Sequence, residues 1–163
     1  MGNSFPTLTP SRRFKYICGT APAAAEEGEH SGAMSALHEP VQLAGIRVLV
    51  VEDHDDSRDL LEQVLAHVGA LVVASPSADE ALAHVGEVDV VITDIAMPGH
   101  DGFWLLHEIQ RRHRSMPVIA VSGYSDLQER ALREAAFVRV LRKPIDPWVL
   151  CHEVATALRP RSP

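Results

Sequence analysis

Short runs of β-branched residues alternate with amphipathic helical segments along most of this chain. The run IRVLVV, which starts at Ile46, is followed by DSRDLLEQVLAHVGA, whose apolar residues fall on one helical face. Further strands are predicted in LVVAS, VDVVIT, MPVIAVS and FVRVL. Strands that alternate with helices run parallel, because each helix returns the chain to the start of the next strand. The pattern therefore predicts an α/β fold with five parallel strands in one sheet and five helices on its two faces.

Local signals support several of the predicted helix starts. Ser77 and Glu80 have the spacing of a capping box at the start of the second helix. Asp146 is placed to cap the last helix, and Pro147 suits its first position. These residues predict where two of the helices begin.

The rest of the chain divides around the repeated unit. Residues 1–45 mix Pro, Ser, Gly and Ala with acidic residues and lack any sustained helical or strand period, which predicts a disordered arm. The domain is expected over residues 46–159, with a tail at residues 160–163. Met34 is a second candidate translation start, so whether residues 1–33 are translated stays open.

Composition argues against several classes of protein. No apolar run reaches the roughly 20 residues that cross a bilayer, and the N-terminus lacks the apolar stretch of a secretory signal. Cys18 and Cys151 fall in the arm and in the last predicted helix, which favours free thiols in a reducing compartment. The net charge of −7 opposes attraction to nucleic acid phosphates. We therefore expect a cytoplasmic protein that binds neither membranes nor nucleic acids.

Polar side chains follow four of the predicted strands. Glu52 and Asp53 follow the first strand, Asp94 ends the third, Ser122 ends the fourth and Lys143 follows the fifth. Ligands of an open parallel sheet bind beyond the carboxyl ends of its strands, so these groups are expected to converge. Neighbouring carboxylates repel one another unless they share a cation, and carboxylates with water and phosphate oxygens are the ligands that Mg²⁺ prefers. The spacing therefore predicts a magnesium-assisted site at one edge of the sheet.

The same strand ends carry motifs that resemble the receiver domain of bacterial response regulators. The motifs are VLVVEDHDDSR, VVITDIAMPGHDG, VIAVSGYSD and VLRKPID, and the resemblance covers about residues 46–158. It implies a doubly wound, flavodoxin-like fold with strand order 2-1-3-4-5. It also implies that Asp94 accepts a phosphoryl group, assisted by Lys143 and by the hydroxyl of Ser122. The metal ligands implied for Mg²⁺ are Glu52, Asp53, Asp94 and the backbone carbonyl of Ala96.

The resemblance also implies partners. The phosphoryl donor is expected to be a histidine kinase or a His-containing phosphotransfer protein. Only twenty residues follow Lys143, so we expect a stand-alone receiver that signals by protein–protein contact. That contact is either with a downstream protein or with a second copy, through the surface of the fourth helix, fifth strand and fifth helix. Receivers usually carry an aromatic residue three positions before the lysine, where this chain has Val140, which leaves the route of the switch open.

Alternatives remain at this point. An interaction module that keeps the fold without phosphorylation would suit Val140, and the sequence does not distinguish a switch from a phosphoryl relay. An aspartate-based phosphohydrolase would need a second acid two residues after Asp94, where Ala96 stands. The segment HEIQRRH lacks the second histidine of a zinc helix at Arg111. His54 and His100 have no ligand partner at suitable spacing, so both are predicted to be solvated.

Overall fold

The strands lie where the β-branched runs predict them. The computed structural model describes residues 41–113, 115–123 and 135–159. Its strands are β1 (Arg47–Val51), β2 (Leu71–Ser75), β3 (Val90–Asp94), β4 (Val118–Ser122) and β5 (Arg139–Arg142). They form one sheet in the order β2-β1-β3-β4-β5, and every neighbouring pair is parallel. The predicted sheet and strand order are confirmed.

In the described ranges, helices follow β1, β2, β3 and β5. The helices in the described ranges are α1 (Asp55–His67), α2 (Ala78–Ala81), α3 (Gly102–Arg112) and α4 (Pro147–Ala157). The helix predicted between β4 and β5 falls almost wholly on residues 124–134, which lie outside the described residues, so α4 is the helix predicted as the fifth. Among the described helices, none has the length and apolarity needed to cross a bilayer.

The second helix is shorter than the sequence predicts. The helical period of SADEALAHV predicts about two turns, but α2 ends at Ala81 and the chain continues through turns into a 3₁₀ helix at Val85–Glu87. Val85 is 1% exposed and packs in the core beside α3. The 3₁₀ helix places the Val85 side chain in this core. Tertiary packing, rather than the helical period of the sequence, therefore decides the local structure here.

The sheet separates two apolar cores. Within β1, Val48 and Val50 belong to the core beneath α1 and α4, whereas Leu49 and Val51 belong to the core beneath α2 and α3. This alternation follows from the two-residue period of a strand. All residues of β3 and β4 are buried, as expected of central strands covered on both faces. The apolar interior thus fixes the strand ends at which polar groups emerge.

Packing of the domain begins before β1. Leu43, which the sequence assigns to the arm, is fully buried, and its N–H donates to the carbonyl of Val68 at 2.8 Å. Residues 41–45 therefore contact the domain, ahead of the boundary predicted at residue 46. The reason is that Leu43 fills the core at the end of α1, a contact that local periodicity does not encode.

Candidate functional site

Backbone hydrogen bonds extend the sheet one residue beyond several strands. The N–H of Glu52 donates to the carbonyl of Ser75 at 3.1 Å, and the N–H of Lys143 donates to the carbonyl of Ser122 at 2.9 Å. The sheet thus positions the first residue after β1 and the first residue after β5 as firmly as strand residues. Their side chains project from the same edge as the end of β3.

Lys143 joins two buried carboxylates at this edge. Its Nζ lies 2.6 Å from Oδ2 of Asp94 and 2.7 Å from Oε2 of Glu52. Asp94 is 6% exposed and Glu52 is 1% exposed, so these are shielded ion pairs rather than surface contacts. Burial lowers the pKa of Lys143, but the hydrogen bonds to Asp94 and Glu52 outweigh it and leave the pKa raised. Lys143 therefore stays cationic beside Asp94.

Both oxygens of Asp94 have donors. Oδ2 accepts from Lys143, and Oδ1 accepts from the backbone N–H of Ala96 at 3.1 Å. Ala96 itself is exposed and lies on the loop that follows β3. The two contacts fix the carboxylate plane at the mouth of the site.

The loop after β3 packs closely against Asp94. A Cβ at Gly102, the first residue of α3, would clash with the backbone oxygen of Asp94 and lie 3.1 Å from Cα of Ile95. Gly99 has a φ of +77°, a conformation that favours glycine. The glycines of PGHDG therefore let the chain turn and bring the start of α3 against the end of β3.

Ser122 lies on the neighbouring strand. It is the last residue of β4, is 1% exposed, and follows Val121, the register partner of Asp94. The structure therefore places Ser122 on the strand next to the acid, at the same edge as Lys143. The residues immediately beyond Gly123 are outside the described part of the chain.

The acidic residues after β1 form a group that could hold a metal ion. Within the described residues, ligand atoms of Glu52, Asp53 and His54 all lie within 4.8 Å of one another. Oε1 of Glu52 is buried and has no hydrogen-bond partner. An unpaired carboxylate oxygen beside a second carboxylate fits a hard cation such as Mg²⁺. Asp94 lies outside this group and its Oδ2 pairs with Lys143, so its role as a metal ligand stays a prediction.

His54 and His100 are both exposed, as predicted, but each has a carboxylate partner that was not expected. Nδ1 of His54 lies 3.1 Å from Oδ1 of Asp53, and Nδ1 of His100 lies 2.9 Å from Oδ1 of Asp79. His100 also stacks on Trp104 with the ring centroids 3.7 Å apart. His54 is solvated, as its 73% exposed side chain shows, but it does have carboxylate partners. The adjacent letters EDH were the available signal, and the turn before α1 brings their side chains together.

Arg58 is a positioning residue that the sequence reasoning missed. Its Nη1 donates to the backbone carbonyl of Glu52 at 2.8 Å, and its Nη2 pairs with Asp55. The Arg58 side chain is 16% exposed and lies in the first turns of α1. It therefore ties the acidic turn to the helix that follows it.

Val140 occupies the position, three residues before Lys143, where receivers usually carry an aromatic residue. Val140 is 39% exposed in the middle of β5. The nearest aromatic upstream, Phe137, packs edge-on against Phe103 of α3 with centroids 5.7 Å apart. Val140 therefore presents an aliphatic side chain at the position where receivers usually carry a ring.

Comparison with known proteins agrees with this arrangement. The sequence model of the response regulator receiver domain family matches residues 48–155. The chain is 36% identical to an uncharacterized 14.6 kDa protein of Leptolyngbya boryana over 66% of this chain and 86% of that protein. It is 39% identical to the DNA-binding transcriptional regulator NtrC of Salmonella typhimurium over 61% of this chain but only 22% of NtrC.

A solved structure shows the same fold. A response regulator receiver domain protein from Clostridium thermocellum superposes with a TM-score of 0.64 and 30% identity. The match covers 69% of this chain and 94% of that protein. The sequence similarity, the sheet topology and the geometry of the strand ends all lead to the same assignment. This chain belongs to the response regulator receiver domain family.

Proposed function

We propose that this chain is a receiver that accepts a phosphoryl group on Asp94 and signals by changing its contacts with another protein. Receiver domains are signalling modules of two-component systems rather than classical enzymes. The observation that carries the proposal is the contact of the Lys143 amine with Asp94 at 2.6 Å and with Glu52 at 2.7 Å. A cation held against one carboxylate by a second, buried carboxylate suits phosphoryl transfer better than fold stability alone.

The proposed reaction transfers phosphorus from nitrogen to oxygen. A carboxylate oxygen of Asp94 attacks the phosphorus of a phosphohistidine, a P–O bond forms, and the P–N bond breaks. The leaving imidazole takes a proton from solvent, so the products are an aspartyl phosphate and a neutral histidine. The Asp94 side chain is 7% exposed, so the donor must enter the recess beside Lys143.

We expect two groups to stabilise the transferred phosphoryl group. The Lys143 ammonium already pairs with Asp94 and can pair with a phosphoryl oxygen when the acid is modified. The Ser122 hydroxyl, on the adjacent strand, is proposed to donate to a second oxygen. Mg²⁺, when bound by Glu52, Asp53, Asp94 and the Ala96 carbonyl, supplies further charge neutralisation.

The donor and the location are also proposals. A histidine kinase or a His-containing phosphotransfer protein would supply the phosphohistidine, as in the two-component systems to which the family belongs. A cytoplasmic location is supported by Cys151, which is buried with a free thiol. Phosphotransfer from purified histidine kinases of the same genome would identify the donor.

A spectroscopic experiment tests the switch. Beryllofluoride with Mg²⁺ mimics a phosphorylated aspartate, so we expect it to shift the amide NMR signals of Asp94, Ser122 and Lys143 in the wild-type protein. Asp94→Asn should abolish the shifts because the acceptor oxygen is lost. The matched control is Asp101→Asn, at the far end of the same loop, where the amide can still cap α3.

The outcomes of this experiment distinguish a phosphorylated receiver from an interaction module that keeps the same fold. A wild-type spectrum that beryllofluoride and Mg²⁺ leave unchanged would contradict phosphorylation and leave an interaction module with the receiver fold. A downstream protein that binds wild type and Asp94→Asn equally, with and without beryllofluoride, would contradict phosphorylation-dependent signalling.

A further inference from the structure

We propose that His54 adds a nitrogen ligand to the acidic group after β1 and so raises the affinity of this site for Zn²⁺ relative to its affinity for Mg²⁺. The inference rests on the proposed function only in that both use Glu52 and Asp53. It starts from three side chains that follow one another in the chain and whose ligand atoms all lie within 4.8 Å.

The distances suit ligands around one ion. Nδ1 of His54 lies 3.1 Å from Oδ1 of Asp53 and 3.5 Å from Oε1 of Glu52. Ligands bound at 2.0 to 2.2 Å in octahedral or tetrahedral geometry lie about 3.0 to 3.4 Å apart. Both separations from Nδ1 of His54 are thus close to those that a bound ion would impose.

A simple hydrogen bond does not account for the whole group. The contact between His54 and Asp53 satisfies those two residues, and with the imidazole 73% exposed it contributes little. It leaves Oε1 of Glu52 buried and without a hydrogen-bond partner, which is costly. A divalent ion would satisfy this oxygen and the other two ligand atoms together.

The nitrogen ligand decides the kind of ion. Imidazole suits Zn²⁺ and other borderline ions, whereas Mg²⁺ takes oxygen ligands and gives up its waters reluctantly. With alanine in place of His54, the site would consist of carboxylates and carbonyls, which suit Mg²⁺. The presence of His54 therefore shifts the preference of this site rather than creating a second one.

The test compares two histidines. His107 is the matched control, because its side chain is 75% exposed and its Nδ1 lies 3.7 Å from Oε1 of Glu108, but both arginines Arg111 and Arg112 already pair with that glutamate. Zn²⁺ and Mg²⁺ affinities of the full chain would be measured by calorimetry for wild type, His54→Ala and His107→Ala. His54 makes no side-chain cap for α1, so alanine there should leave the helix start intact.

We expect His54→Ala to lower the Zn²⁺ affinity relative to that for Mg²⁺ by at least the roughly 10-fold that loss of even an outer partner of a ligand costs. His107→Ala should match wild type. Nitrogen NMR of the imidazoles should show Zn²⁺ shifting Nδ1 of His54. Zinc binding by other histidines and by the two cysteines is common to the three proteins and cancels in the comparison.

Two results would overturn the inference. One is an equal Zn²⁺ to Mg²⁺ preference in all three proteins, and the other is an equal loss in both variants, which would assign the zinc to scattered surface histidines. Phosphorylation of the wild-type protein with Mg²⁺ is measured separately. A chain that is phosphorylated but shows either result retains the proposed function and loses this inference.

Discussion

Lys143 is the residue on which the geometry of the site depends most. It contacts carboxylates from the ends of two different strands, at 2.6 Å and 2.7 Å. The sequence predicts this convergence, because Lys143 and both acids follow strands of one parallel sheet. Sequence alone could not predict that Lys143 takes one oxygen of Glu52 and leaves the other unpaired, since that depends on side-chain packing.

The pH dependence of Lys143 follows from these contacts. Its native pKa is raised above the ordinary 10.5, because the bonds to Asp94 and Glu52 outweigh burial. The ion pairs therefore contribute stability that is fully present below pH 10.5 and is lost as the pH rises through the raised native pKa.

Carbon NMR can follow this titration directly, because the chain has only two lysines, Lys15 and Lys143. We expect the Lys143 signal to titrate at a higher pH in the wild-type protein than in the Asp94→Asn variant, which lacks one of the two ion pairs. Equal titration of Lys143 in the two proteins would contradict the ion pair with Asp94.

At the scale of elements, helix starts are the best predicted features. The Ser77 side chain accepts from the N–H of Glu80 at 3.3 Å, and Asp146 accepts from the N–H groups of Trp148 and Val149, so both predicted caps are confirmed. The length of α2 was not predictable from the sequence. The helix ends early because Val85 is buried in the core, although the helical period of the sequence continues.

The cap of α4 should contribute measurable stability. Asp146→Ala removes the acceptor of two backbone N–H groups, and we expect the free energy of unfolding to fall by about 1 kcal/mol. Asp146→Ser keeps a capping oxygen and should lose less. Denaturant unfolding of the three proteins checks this, and an equal loss in both variants would assign the effect to something other than the cap.

The contact between β3 and α3 should tolerate no side chain at its closest point. Gly102→Ala places a methyl group against the backbone of Asp94 and Ile95, so we expect a loss of about 1 to 3 kcal/mol in unfolding free energy. Gly86→Ala is the control, because its Cβ would meet only the His113 ring at 3.8 Å. Equal stabilities of the two variants by thermal unfolding would show that the loop can move aside.

At the scale of the whole molecule, the order of strands was predictable and the fine structure of the site was not. The alternation of strands and helices predicted a parallel sheet, and the resemblance to receiver domains implied the strand order observed here. The position of Leu43 in the core depends on a contact between segments, which local sequence patterns do not contain. The partners of His54 and Arg58 are close in sequence, and their contacts depend on how the turn before α1 orients the side chains.

The central claim is that Asp94 is a phosphoryl acceptor, and intact mass spectrometry tests it most directly. After incubation with acetyl phosphate and Mg²⁺, the wild-type chain and the Asp101→Asn control should each gain the mass of one phosphoryl group. Borohydride trapping and fragmentation should locate that group on Asp94, and Asp94→Asn should gain none. A wild-type chain of unchanged mass, or an Asp94→Asn chain that gains as much as wild type, would contradict the account.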